Sequence, residues 1–290
     1  MNDGSEKTDM PGLAFTGERY VPEVGGNLKL EHLHRYLLAA RIVAGKAVLD
    51  IACGEGYGSA MLAAVAAGVT GVDISPETIA HAQARYRLGN LDFRQGSCAA
   101  IPLPDVSVDV VVSFETIEHH AQHEAMMREI KRVLRPGGVL VISSPDKYEY
   151  SDRPQYRNPH HVRELYRDEF ARLLSAFFGN RAIYGQRVMY GSAILGEDSI
   201  GETGCFEHAG EELQYVRGVP RAVYLVAVAS DAELPVLTGG LLEQPISESE
   251  PVAVRDSDIA RLRAYVASMQ ASASWKLTAP LRFVARLIRG

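Results

Sequence analysis

Between residues 45 and 232 the apolar positions fall into short unbroken runs, separated by stretches in which they recur every three or four residues. The runs are "AVLDIA", "VTGVDIS", "LDFRQG", "VDVVVSF" and "VLVISSP"; the stretches between them include "SAMLAAVAA", "PETIAHAQARYR" and "HEAMMREIKRVL". Continuous apolar strands alternating with helices predict a parallel sheet covered on both faces, because a strand buried on both sides has no polar face to show. The fold class expected is therefore α/β, a doubly wound and mostly parallel sheet. Ahead of it, "GNLKLEHLHRYLLAARIV" puts Leu30, Leu33, Leu37, Leu38 and Ile42 at helical spacing and predicts an N-terminal helix. Behind it, "RDEFARLLSAFF" predicts a helix with Phe170, Leu173, Leu174 and Phe177 buried, and "RAVYLVAVAS" a late strand of the same sheet.

The pattern also predicts organisation. Residues 1–44 read as a polar lead and cap helix, 45–232 as the α/β domain, 233–252 as a linker rich in Pro, Gly, Ser and acid, and 253–290 as a helical tail. A 290-residue chain has room for this one large domain plus an appendage. Hydrophobic residues make up 47% and charged residues 23%, the balance of an ordinary water-soluble domain. A net charge of -6 argues against nucleic acid as a partner. Cys53, Cys98 and Cys205 are odd in number and widely spaced, which predicts neither a disulfide framework nor a thiolate zinc site. The polar start lacks a signal-peptide core and no run reaches about 20 apolar residues, so a cytoplasmic location is expected.

The candidate chemistry begins where "AVLDIA" runs into "CGEGYGSAML". Gly54, Gly56 and Gly58 lie in the turn between the first strand and its helix, where bare backbone amides can receive a ligand at a helix N-terminus. Nineteen residues beyond Gly54, Asp73 ends the second strand, placed to accept hydrogen bonds from two ribose hydroxyls. The third glycine comes one place too early for a dinucleotide fingerprint, and Ser59 stands where it would be, which disfavours NAD.

The combination "VLDIACGEGYGS", "GVDIS", "VDVVVSFETIEH" and "LRPGGVLVISSP" resembles the class I S-adenosylmethionine-dependent methyltransferases over about residues 45–146. The resemblance implies S-adenosyl-L-methionine as cofactor. It implies that Asp50 and the Gly54–Gly58 backbone hold the methionine end, that Asp73 binds ribose and that Ile74 packs on adenine. Many relatives carry an aspartate after the third strand to read the adenine amino group; here Ser97 stands there, so its hydroxyl or the backbone of Cys98 inherits that contact. Phe114 and Glu115, at the tip of the fourth strand, are implied to line the reaction centre. A narrower resemblance, carried by "FTGERYVPEVGGNLKLEHLHRY", "FETIEHH", "NPHHVRELYRDEF" and "SASWKLTAPLR", is to methyltransferases of bacterial surface-polysaccharide and O-antigen biosynthesis. It implies a glycan or sugar-linked acceptor and a glycosyltransferase as partner. It also implies that Arg19, Tyr20 and the segment from His34 to Tyr36 close over the methionine end.

Seven of nine histidines cluster: His32 and His34; His119, His120 and His123; His160 and His161. A sugar hydroxyl is a poor nucleophile until a base takes its proton, and histidine titrates near working pH. His161 and then His119, following the fifth and fourth strands at the ligand-binding edge of a doubly wound sheet, are the candidate bases or substrate ligands. Asn158, His160, Arg163 and Glu164 of the same loop are candidates for holding sugar hydroxyls or a phosphate, although Arg163 and Glu164 could simply pair with each other. His119 and His123, four apart, have chelating spacing, but the cluster shows no third ligand and transfer from a sulfonium needs none, so no metal is expected.

In the tail Leu277, Leu281, Val284 and Ile288 share one helical face and Arg282, Arg286 and Arg289 another. Such a basic amphipathic helix can dock on the inner face of a membrane, on a partner protein, or on its own domain or a second copy in a homo-oligomer. The expected function is methyl transfer to a hydroxyl or phosphate of a bacterial surface glycan. The alternatives are a methyltransferase for a small metabolite such as a quinone precursor, and a non-catalytic partner of a glycosyltransferase.

Overall fold

A computed structural model describes residues 26–189, 204–209 and 212–283. By its contacts the chain divides into two compact units, one containing Leu28–Leu242 and the other Glu243–Gly290. The first unit is built on a seven-stranded sheet in the order β3-β2-β1-β4-β5-β9-β6, with β1 (Ala47–Ile51), β2 (Gly68–Asp73), β3 (Leu91–Gln95), β4 (Val108–Ser113), β5 (Leu134–Pro145), β6 (Asn180–Gln186) and β9 (Tyr224–Ser230). β1 to β5 pair in parallel, while β9 runs antiparallel to both β5 and β6. The doubly wound, mostly parallel architecture expected from the apolar runs is thus present. β9 is the late strand expected from "RAVYLVAVAS". A separate hairpin of β7 (Gly204–Ala209) and β8 (Glu212–Arg217) was not predicted, nor was β6, whose "NRAIYGQ" carries no unbroken apolar run.

Helices α1 (Asn27–Val43), α2 (Tyr57–Ala63), α3 (Pro76–Arg85), α4 (His123–Val133) and α5 (Arg167–Phe177) flank the sheet. They make two apolar layers. Leu49, Ile51, Val111, Leu140 and Ile142 meet Met126, Met127 and Ile130 of α4 and Phe170 and Leu174 of α5. Val48, Val110, Val112, Val141 and Val226 meet Tyr36, Ala39, Ile42 and Val43 of α1 and Leu62 of α2. Alternate residues of one strand feed opposite layers because successive side chains point to opposite faces. α5 buries Phe170 and Leu174 fully, with Leu173 and Phe177 packed at the margin.

α1 forms where expected, and of the spaced apolar residues Ile42 is buried and Leu38 packs against the core, but polar side chains share the buried face. Its buried residues are Arg35, Tyr36, Ala39, Ile42 and Val43, and Leu37 is exposed. Arg35 and Tyr36 can be buried because the strand ends offer them partners, Gln186 and Glu115 for Arg35 and Asp50 for Tyr36.

In the second unit α6 (Glu250–Ala271) is exposed along its length and α7 (Ala273–Leu277) follows, with Arg282 lying over the Trp275 ring at 3.8 Å. Of the amphipathic tail, Val284, Arg286, Ile288 and Arg289 lie outside the described residues. Among the described residues no helix is long and apolar enough to cross a membrane.

Candidate active site

The C-terminal edge of the parallel strands is where ligands meet doubly wound sheets. Two groups of polar residues stand there.

The first is the turn from β1 into α2. Ala52, Gly54 and Gly56 have φ values of 60°, 54° and 94°, so the chain doubles back through three left-handed residues. Gly56 is required on two counts: positive φ, and a Cβ that would sit 2.6 Å from the Phe93 ring. Gly58 is required by close approach, since a Cβ there would lie 2.0 Å from the Tyr36 ring of α1. Asp50, fully buried at the end of β1, accepts from the Ser59 hydroxyl at 2.7 Å and from the Tyr36 hydroxyl at 3.3 Å. Burial pushes its carboxyl up to about 7, against the lowering effect of those two donors. Asp73 accepts from the amides of Gly54 at 3.0 Å and Ser75 at 2.9 Å, one on each oxygen. Each carboxylate oxygen keeps a lone pair for a further donor. Next to it Ile74 is 72% exposed, an apolar side chain held out at the strand end. Glu55, buried between these glycines, points away from the turn and binds Arg85 at 3.2 Å and Tyr86 at 2.9 Å, which anchors the turn on α3.

A bare-backbone turn, a carboxylate with spare acceptor capacity and an exposed apolar side chain beside it fit the phosphate-free cofactor S-adenosylmethionine. Its α-amino group, ribose diol and adenine need an acceptor, a carboxylate and a flat apolar contact respectively.

Other cofactor candidates fall differently. The Phe114 ring is buried and meets Tyr36 edge-on at 5.1 Å, inside the second apolar layer. The Ser97 hydroxyl accepts from the Ala99 amide at 3.2 Å and its carbonyl from the Ala100 amide at 3.0 Å, and the Cys98 thiol lies 3.4 Å from Nε2 of His120. Tyr36 is committed to Asp50, and Nε2 of His34 lies toward Gly240. Arg19 and Tyr20 lie outside the described residues.

The second group surrounds the ends of β4 and β5. Glu115 has φ 49° and receives Arg35 at 2.6 Å and the Ser143 hydroxyl at 3.2 Å. Arg35 is itself buried, donates to Gln186 of β6 at 2.6 Å and stacks on the Tyr224 ring at 4.3 Å. The guanidinium holds the Glu115 carboxyl below its usual range despite burial. His32, beside the same guanidinium, donates or accepts at the Tyr57 hydroxyl at 2.9 Å, and burial with the nearby Arg35 charge pulls it down to about 4.

A 3-10 turn then carries Glu118 and His119. The "RNPHHVRELY" loop is fastened against it, because the amides of Val162 and Arg163 both donate to the Glu118 carbonyl, at 2.8 and 3.0 Å. His119 and His161 meet edge-on with centroids 5.2 Å apart. Nδ1 of His161 lies 2.6 Å from Glu164, and its Nε2 3.1 Å from the Asn158 amide. Its ring stacks on Tyr150 at 5.1 Å.

His161, His119, Asn158, Glu164 and Glu115 are therefore gathered at this edge. His160 contributes its backbone, accepting from Nδ1 of His119 and donating to Asn158. Arg163 is exposed, and Glu164 pairs with His161 rather than with it. The chelating spacing of His119 and His123 is not used. His119 belongs to the 3-10 turn, and His123, buried at the start of α4, bonds the His120 carbonyl at 2.8 Å.

Arg35, expected with His34 and Tyr36 to close over the methionine end, binds Glu115 and Gln186 instead, and Glu118, Ser143, Tyr150 and Gln186 were not among the expected site residues. Of these only Glu118 carried a signal, a carboxylate set between Ile117 and a histidine immediately after an apolar strand.

Residues 49–142 match the family model described as a methyltransferase domain. A Mycolicibacterium smegmatis protein named a probable S-adenosylmethionine-dependent methyltransferase is 43% identical over 165 residues, 56% of this chain and 63% of its own length. A fatty-acid O-methyltransferase of the same organism is 33% identical over 136 residues, 46% of this chain and 47% of its own. The chain thus spans less than two thirds of these relatives. Among solved structures, the YcgJ protein of Bacillus subtilis superposes with a TM-score of 0.51 at 18% identity, over 70% of this chain and all of that one, a likeness of fold alone. The fold is the Rossmann-like one of class I methyltransferases, and fold and relatives together imply S-adenosyl-L-methionine as the cofactor.

Proposed function

We propose that this protein transfers a methyl group from S-adenosylmethionine to an oxygen of a glycan or glycan precursor. The observation that carries the reaction class is that the glycine turn with Asp50 and Asp73, and the cluster of Glu115, Glu118, His119 and His161, stand at the same strand edge. When bound, the cofactor supplies an electrophilic methyl on a sulfonium. Gly54–Gly58 and Asp50 would hold its methionine end, Asp73 its ribose and Ile74 its adenine.

The rest is the work of this chain's own residues. An alcohol attacks well only as its proton departs. His161 is favoured for that proton, since Glu164 at Nδ1 holds the ring in place and leaves the lone pair on Nε2, which the Asn158 amide meets at 3.1 Å. A hydroxyl acceptor is favoured over a fatty acid because the acceptor edge is rich in polar groups. Exposed Tyr148 and Tyr156 add aromatic faces that suit the C–H side of a sugar ring.

Calorimetry with S-adenosylmethionine, followed by a labelled-methyl assay across nucleotide sugars, polysaccharides and fatty acids, tests this. Label in a glycan is expected. No cofactor binding would end the methyltransferase reading, and label in fatty acid alone would replace the acceptor class.

A further inference from the structure

Glu118 is fully buried and neither of its carboxylate oxygens has a hydrogen-bond partner. A carboxylate so placed is costly unless something positive meets it. What meets it is a pair of imidazoles: one ligand atom from each of Glu118, His119 and His161 lies within 4.8 Å of the other two.

The histidines are set in one tautomer by what holds their other nitrogen. Nδ1 of His119 lies 3.1 Å from the His160 carbonyl and Nδ1 of His161 2.6 Å from the Glu164 carboxylate, both acceptors. The proton of each neutral ring therefore sits on Nδ1 and the lone pair on Nε2. An imidazole tied at its far nitrogen to a carboxylate or a carbonyl is the usual outer support of a metal-binding histidine.

We infer that Glu118, His119 and His161 bind a divalent transition-metal cation. Two nitrogens and one carboxylate suit Mn²⁺, Fe²⁺ or Zn²⁺ better than Mg²⁺ or Ca²⁺. Bonds of about 2.0–2.2 Å bring ligand atoms to about 3–4 Å of one another, so from separations of up to 4.8 Å each pair closes by about 1–2 Å at most. The approach of Asn158 to Nε2 of His161 is one contact given up, and its amide keeps the Tyr150 hydroxyl at 3.1 Å. Three protein ligands leave coordination positions for an outside oxygen. A vicinal sugar diol would be such a donor, and its bound hydroxyl would give up its proton to solvent water more readily than a free one as the oxygen takes the methyl group from the sulfonium. In that arrangement His161 holds the cation instead of taking the proton itself. Spacing along the chain had pointed to His119 with His123 and to no third ligand; the fold supplies a different pair and the carboxylate between them.

The acceptor role rests on the methyltransferase reading, but the binding does not. Chelator-treated full-length protein is titrated with Mn²⁺ and followed by electron paramagnetic resonance. The expected result is one tight equivalent, with hyperfine coupling to two imidazole nitrogens. Glu118→Gln and His161→Ala should each weaken binding at least about 30-fold while His160→Ala leaves it unchanged, and circular dichroism checks that every variant is folded. No saturable Mn²⁺ or Zn²⁺ binding, or wild-type affinity in both folded ligand variants, overturns the site. Methyl transfer undiminished by chelator would overturn the acceptor role of the cation while leaving the methyltransferase reading in place. A bound cation with no methyl transfer to any acceptor would overturn the methyltransferase reading, and the acceptor role with it, while leaving the cation site in place.

Discussion

The two halves of the strand edge are built by different means. The cofactor side is a continuous piece of chain, residues 50–59, with one carboxylate added from β2, and its fit comes largely from backbone: left-handed turns and glycines pressed against Tyr36 and Phe93. The proposed acceptor side is assembled from side chains of α1, β6, the β4 and β5 ends and the 157–166 loop, held together by Arg35, Glu115 and the loop amides on Glu118. A backbone-built site has little freedom to vary. A side-chain-built site on the same scaffold can change its ligand by changing a few residues, which is how one fold comes to serve many acceptors.

Breaking each side should therefore cost different things. The largest effect is expected from Arg35→Ala, which leaves Glu115 half-enclosed with no cation and removes the support under Tyr224. Losing one partner of a buried pair costs about 3–5 kcal/mol, and chemical denaturation should show it. Arg35→Lys should recover only part, because a single ammonium cannot reach Gln186 and Glu115 together. Next comes Gly58→Ala. Its methyl group must displace the Tyr36 ring, at about 1–3 kcal/mol, so the melting temperature should fall by several degrees and cofactor affinity by at least about 10-fold. A Gly58→Ala protein that binds cofactor normally would show that the turn is less rigid than its packing implies.

The pH dependence sharpens the same contrast. The Asp50 carboxyl sits at about 7 in the fold, against an ordinary unfolded value near 4. Between those values the native protein holds a proton that the unfolded chain has released, so stability falls as pH rises from about 4 to about 7 and levels off above. Asp50→Asn should abolish that slope, as read by thermal melts across the range. Smallest is Tyr36→Phe, which removes one hydroxyl donor from Asp50. About 1 kcal/mol is expected, with acceptor turnover untouched at saturating cofactor.

Legibility followed the same division. The strand runs, the glycine turn, Asp73 and the position of the histidine loop after β5 could be read from local pattern, because each is a matter of neighbours in the chain. α1 could be read as a helix, but not which of its polar residues turn inward: partners 14 to 151 residues distant bury Arg35 and Tyr36 beside Ile42. β6 was missed because an edge strand pairing on one side only has no need of a continuous apolar run. Glu118 was missed because its one local signal, a place between Ile117 and a histidine just after an apolar strand, does not by itself tell a buried glutamate from a solvated one.

The amino-acid sequence by itself thus determined the layer architecture and the cofactor cradle, since apolar periodicity and glycine placement act over a few residues and leave the backbone little choice. Only the tertiary structure decided which histidines meet, which carboxylate is enclosed with them and which face of α1 closes on the sheet. Those are contacts between segments far apart in the chain, and their energies come from burial and pairing that exist only once the sheet has formed.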